Sequence, residues 1–216
     1  MGKNRLQTRS AMNGLASPKV IVVSGRYDTV TKVLQSYARS YARGSHAKDI
    51  LHVQDLRASD VHGVIAEHPR AAIFFFLHGR LKPPGVVGHA AEEIIGAKTA
   101  KLLRERVICG TCYSLNGFAQ MATARRATVI GYDGEMFVPT KLPMARQMKD
   151  AALAAQRALN VSETAAIATS RAREAYRNLA DKWYSRKTIE AQVHAAVANA
   201  NADSIGFKGR GAACLT

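Results

Sequence analysis

The seven residues Ala71–Leu77 (AAIFFFL) constrain the fold of this chain more than any other stretch. The run offers no polar side chain to turn toward water, so an extended strand here must be covered on both faces. That is the condition of a strand inside a mainly parallel sheet. Four further short runs rich in apolar residues read as strands: Lys19–Ser24 (KVIVVS), Asp49–Val53 (DILHV), Val107–Cys109 and Ala127–Tyr132. Helical patterns lie between them. Asp28 can cap a helix bearing Val30, Val33, Leu34, Tyr37 and Tyr41, and Ser59 caps a shorter one. Ala90–Arg104 carries Ile94, Ile95 and Leu102 at helical spacing, and Ser114–Arg125 continues the alternation. After Pro139 the chain reads as helical: Pro143–Leu159, a helix with an Asn160/Glu163 capping box, and Thr188–Ala200 with Ile189, Val193 and Val197. Strands alternating with helices predict an α/β fold with a helical C-terminal portion. One domain is expected over residues 18–204, between a flexible basic arm (1–17) and a loose Gly-rich tail (205–216).

With 47% apolar residues in 216, the chain can bury a good core. Its longest apolar run is about seven residues, far short of the roughly 20 that span a bilayer. The N-terminal residues are polar and basic, without a secretory h-region or a lipidation motif, so a cytoplasmic protein off the membrane is expected. Three cysteines, Cys109, Cys112 and Cys214, suit reduced thiols. The net charge of +15 favours an acidic partner or nonspecific nucleic acid. The cations are spread along the chain, and no zinc finger or RNP motif sharpens that reading.

The chemistry gathers where two of the predicted strands end. Ala71–Leu77 runs into His78-Gly79, and Val107–Cys109 breaks at Gly110 and leads to Cys112. Open α/β sheets place their sites at the carboxyl ends of strands. Neighbouring strands lie about 5 Å apart, so His78 and Cys112 can meet if their strands are adjacent. A thiolate, a base that also protonates a leaving amine, and oxyanion donors are what thiol acyl transfer needs. Cys112 is the candidate nucleophile and His78 the acid/base, while the N–H groups of Gly79 and Cys112 are the candidate oxyanion hole. His89, in the loop beyond, is the substitute base. This chemistry needs no cofactor and no metal. A single C-x-x-C leaves a tetrahedral zinc site unfilled. Cys109-Gly110-Thr111-Cys112 also reads as a thioredoxin-like dithiol motif, and a catalytically silent scaffold for an acidic partner is the non-enzyme alternative.

The order strand–His-Gly (FFFLHGR), helix, strand–Cys (ICGTCYSLNGFAQ), helix, strand (ATVIGYDGEMF) resembles the caspase-like cysteine peptidases of the caspase, separase, legumain, gingipain and CHAT-domain group. The resemblance covers roughly residues 19–140, with a His-to-Cys spacing short for that group. It implies a sheet of order 2-1-3-4-5, a Cys112–His78 dyad and a protein or peptide substrate. It also implies an acid near the turn after the fifth strand that selects Arg or Lys; Asp133 and Glu135 stand there. Arg26, at the end of the first strand, is the competing determinant and would select an acidic residue instead.

Overall fold

The computed structural model describes residues 18–44, 47–55, 57–110 and 112–215; the arm expected over 1–17 lies outside them. In chain order the elements are β1 (Val20–Ser24), α1 (Thr29–Ala42), β2 (Ile50–Gln54), α2 (Ala58–Glu67), β3 (Ala72–Phe76), β4 (His78–Arg80), β5 (Gly85–Val87), β6 (Glu93–Ile95), β7 (Val107–Cys109), α3 (Ala119–Thr123), β8 (Thr128–Tyr132), α4 (Leu142–Ala152), α5 (Ala154–Asn160), α6 (Ala165–Tyr184), α7 (Ile189–Ser204) and β9 (Ile205–Lys208). Six strands form one sheet in the order β2-β1-β3-β7-β8-β9, with every pair parallel except β8–β9. β4, β5 and β6 form a separate antiparallel sheet.

β3 explains the layering. Its residues alternate between two cores, as the pleat of a strand requires. Ala72, Phe74 and Phe76 face the cluster built with α1 and α4–α7, whereas Ile73 and Phe75 face the one built with α2, α3 and the small sheet. All five are buried, and burying a large side chain contributes about 1.5–3 kcal/mol. The sheet is thus mixed, mostly parallel and flanked by helices on both faces. Among the described residues, no helix is long and apolar enough to cross a membrane.

Several expectations need correction. The five-strand order is incomplete: β9 adds a sixth, antiparallel strand beyond β8, in the segment read as the start of a loose tail. Ile205 and Phe207 suit a strand, and Gly206 lets it pass close to Leu115, whose Cδ1 would stand 3.0 Å from an added Cβ. Ala90–Arg104 forms no α-helix. Ala90 and Ala91 take positive φ (51° and 60°), and Ile94 and Ile95 are buried in β6 by pairing with β5. Tertiary strand pairing here overrides a helix-like spacing. The long helix expected over Pro143–Leu159 is two helices, α4 and α5, and Thr164 rather than Asn160 caps α6. Ser59 lies inside α2, whose N-cap is Arg57. In α7 the large residues point outward, with Ile189 82% and Val193 55% exposed. Its buried face is Ala191, Ala195, Ala198 and Ala202, small enough for close approach to α6.

Candidate active site

β3 and β7 are neighbours, with Ile73 opposite Ile108 and Phe74 opposite Cys109. From that register His78 lies four residues past Phe74 and Cys112 three past Cys109, so both emerge at the same carboxyl edge. The parallel strand ends at Phe76, and one residue on His78 opens β4 of the small sheet, which turns the chain away from the edge. Beyond β7 the chain turns sharply. A Cβ on Gly110 would come within 2.5 Å of the Ser114 Cβ, so the turn needs glycine. Tyr113, next to Cys112, is held at φ 55°, and its N–H donates to Gly134 O at 2.8 Å. A left-handed non-glycine residue costs about 1 kcal/mol or more and persists only where its surroundings enforce it. Ser114 Oγ accepts from Tyr132 N–H, fixing this turn to β8.

The Cys112 thiol lies over β4 and donates to Gly79 O at 3.9 Å. His78 Nε2 is 2.7 Å from Asp28 Oδ2. The imidazole pKa is pushed up to about 9, first by hydrogen bonding with Cys112 and next, against the opposing effect of burial, by Asp28. Burial works to raise the Asp28 carboxyl, but the hydrogen bonds from the Thr31 backbone N–H, His78 and the Thr31 side chain outweigh it and hold the pKa below the ordinary value. The side chains of His78 and Asp28 are 35% and 49% exposed, so water screens their attraction.

Asp28 is the residue that sequence reasoning missed, because its other role hides it. It is the N-cap of α1: Oδ1 accepts from Thr31 N–H at 2.8 Å, and Thr31 Oγ1 accepts from the Asp28 N–H to complete a capping box. The cap fixes one carboxylate oxygen and leaves Oδ2 for His78. The signal that could have found it is position, an acid just beyond β1, whose strand pairs with β3. Histidine, cysteine and aspartate thus come from the ends of three adjacent strands.

The other predicted residues scatter. Asp133 is exposed, not buried as the specificity reading required. The sheet uses its backbone, through Asp133 N–H to Ser204 O and Asn116 Nδ2 to Asp133 O. Glu135 is also exposed, but its carboxylate accepts from Tyr113 OH at 2.9 Å, which places it beside the nucleophile turn. Arg26 is exposed and lines a groove on α1 with Lys32, Arg39 and Arg43. His89 is exposed and packs against Tyr27 at a centroid distance of 5.6 Å. Cys109 is 1% exposed in the core, and burial pushes its thiol far above the ordinary range. Both Cys109 and Cys112 are free thiols. Among the described residues no group of three or more His, Cys, Asp or Glu could hold a metal ion. No protein-family model and no curated protein matches the chain.

Proposed function

We propose that the protein is a caspase-like cysteine endopeptidase acting through Cys112, His78 and Asp28. The observation that carries this reading is one imidazole interacting with both the Asp28 carboxylate and the Cys112 thiol just past the carboxyl ends of β3 and β7. Asp28 occupies Nε2 and favours the charged ring, leaving Nδ1 to exchange a proton with the Cys112 sulfur. The Cys112 sulfur attacks the substrate carbonyl carbon, and the charge on oxygen is met by the Gly79 and Cys112 N–H groups. The C–N bond breaks as His78 gives its proton to the departing amine. A water, losing its proton to His78, then hydrolyses the thioester and frees the carboxylate product. Neither metal nor cofactor enters these steps. The cytoplasm, with its reduced thiols, suits such a nucleophile.

The dithiol reading fares worse on physical grounds. Exchange needs a thiolate that a partner can reach, and Cys109 is sealed in the core with its pKa raised. Cleavage after Arg or Lys follows if Glu135 or Asp133 meets the substrate side chain. The test is hydrolysis of a fluorogenic peptide library by wild type and Cys112→Ala, with iodoacetamide labelling read at each cysteine. Turnover lost with Cys112 alkylation or replacement supports the proposal. Turnover that survives Cys112→Ala, or is absent from the wild type across the library, overturns it.

A further inference from the structure

At the amino ends of the same strands lies a second, unrelated feature. A cavity of about 130 Å³ opens where β1, β3, β7 and β8 begin. Five cations line it, Lys19, Arg70, Arg106, Arg126 and Arg210, against one carboxylate, Glu105. That carboxylate is already engaged, at 2.5 Å from Arg126 and 3.7 Å from Arg104. Arg106 differs from the other four because it is only 5% exposed. Its Nη1 donates to His68 O and Ala71 O and its Nη2 to Ile65 O, at 2.6–2.8 Å, all neutral acceptors. Its Nε has no hydrogen-bond partner among the described residues, and it makes no ion pair among them. Burial lowers its pKa to about 10, which still leaves it charged at neutral pH.

Buried charges in proteins are normally paired, because an uncompensated one forfeits its hydration. Among the described residues, this buried guanidinium with a free N–H, beside a cavity ringed by four more cations, has no anion. The small volume admits a tetrahedral oxyanion and excludes a long polyanion, and arginine forks match phosphate oxygens. We infer that this cavity is a binding site for a phosphate-sized oxyanion, distinct from the proposed catalytic edge. The phosphate could be free or carried as an ester whose organic part stays outside the opening.

Cys214 gives the site its own reporter, since it is part-exposed and lines the cavity. The full chain would be treated with iodoacetamide near neutral pH in sodium phosphate or in sodium chloride of equal ionic strength, and alkylation followed separately at Cys214 and Cys112 by mass spectrometry. At a phosphate concentration about ten times its Kd, about nine-tenths of the sites are filled, and Cys214 alkylation slows about tenfold. Cys112 serves as the internal control and keeps its rate. Lys19→Gln with Arg210→Gln, both exposed side chains, should remove the protection while leaving the thermal midpoint in chloride in place. O-phosphoserine separates the sources. Protection at lower concentration than inorganic phosphate marks an ester, and weaker protection marks the free anion. Equal Cys214 rates in phosphate and chloride overturn the site, as does equal slowing of both cysteines or undiminished protection in the double variant. Phosphate held instead in the α1 groove of Arg26, Lys32, Arg39 and Arg43 would stabilise the fold without touching Cys214, and that result also overturns it.

Discussion

The two ends of one parallel sheet are built from the same strands and differ in how their charges are met. At the carboxyl end, β1, β3 and β7 deliver Asp28, His78 and Cys112, and the cation among them has a carboxylate at 2.7 Å. At the amino end the same strands begin among Lys19, Arg70 and Arg106, and the buried cation there has only neutral partners among the described residues. The difference is one of compensation. An end whose charges are paired and half exposed is free to exchange protons with a substrate. An end with a buried surplus charge is suited to holding a ligand, not to chemistry. Left-handed backbone occurs at both ends, at Tyr113 beside the thiol and at Glu105 and Arg126 just before β7 and β8.

Replacing single residues at each end should break this symmetry in different currencies. Cys112→Ala should abolish peptide hydrolysis, a loss of about 10⁴-fold or more, with stability changed by no more than about 0.5 kcal/mol, because the side chain lies outside the core. Cys109→Ala, three residues away and fully packed, should do the reverse: destabilise by about 1 kcal/mol and keep activity. Progress curves and urea midpoints on both variants check this, and equal loss of activity from the two would restore the redox pair. At the other end, Arg106→Met removes the side-chain donor from three carbonyls, of which His68 O keeps the Ala71 N–H and the other two lose the bond Arg106 gave them. Each buried acceptor left unpaired costs about 1–3 kcal/mol, so a loss of about 3 kcal/mol is expected in urea unfolding, after relief of the lone buried charge. Catalysis measured below the unfolding transition should stay within about twofold, since additivity holds for distant sites.

Asp28→Asn should be next in size. Asparagine caps helices as well as aspartate does, so the fold and α1 are preserved while the charge opposite His78 is lost. Turnover should fall about 10- to 100-fold, short of the larger losses seen when a fully buried acid is neutralised, because this pair is half exposed. The pH profile gives the decisive reading. The folded His78 pKa of about 9 lies above its ordinary 6.5, so the protonated ring is favoured by folding. The stabilising effect is complete below the ordinary value and is lost as pH rises through about 9. Activity that relies on imidazolium as the acid should therefore fall along a limb near pH 9, and in Asp28→Asn that limb should move down. An unmoved limb would detach Asp28 from the mechanism.

How much of this was legible beforehand follows from where each signal sits. His78 stands out because it directly follows an unbroken apolar run, and Cys112 because it lies three residues past the end of another, as a strand end leaves them. Asp28 does not stand out, since an aspartate before a helical pattern is fully explained as a cap. The small sheet is hidden for a different reason: three-residue strands carry too little alternation, and Ile94, Ile95 and Leu102 mimic a helix stripe. In α7 the spacing of Ile189, Val193 and Val197 misleads: Ile189 and Val193 face solvent and only Val197 packs on the core, because the packing face is mostly alanine and carries little hydrophobic signal. Arg106 reads as one more surface cation until its three carbonyl partners, from Ile65, His68 and Ala71, are brought to it by the fold.

The smallest effect should come from the acids expected to choose the substrate. A buried carboxylate can discriminate strongly, because a mismatched side chain leaves it unpaired. Asp133 is exposed, so water already satisfies it, and an exposed pair contributes only about 0.2–1 kcal/mol, at most about fivefold in preference. Asp133→Ala should thus change the Arg/Lys preference of a peptide library by less than about fivefold. Glu135→Ala should change it somewhat more, because Glu135 accepts from the Tyr113 hydroxyl at 2.9 Å beside the nucleophile turn, and losing that contact loosens the turn. A loss above tenfold in Asp133→Ala would mean that a bound substrate buries Asp133 and restores it as the determinant. A wild-type preference for Asp or Glu would remove both acids from that role and move it to Arg26, which lies two residues from Asp28 on the same loop.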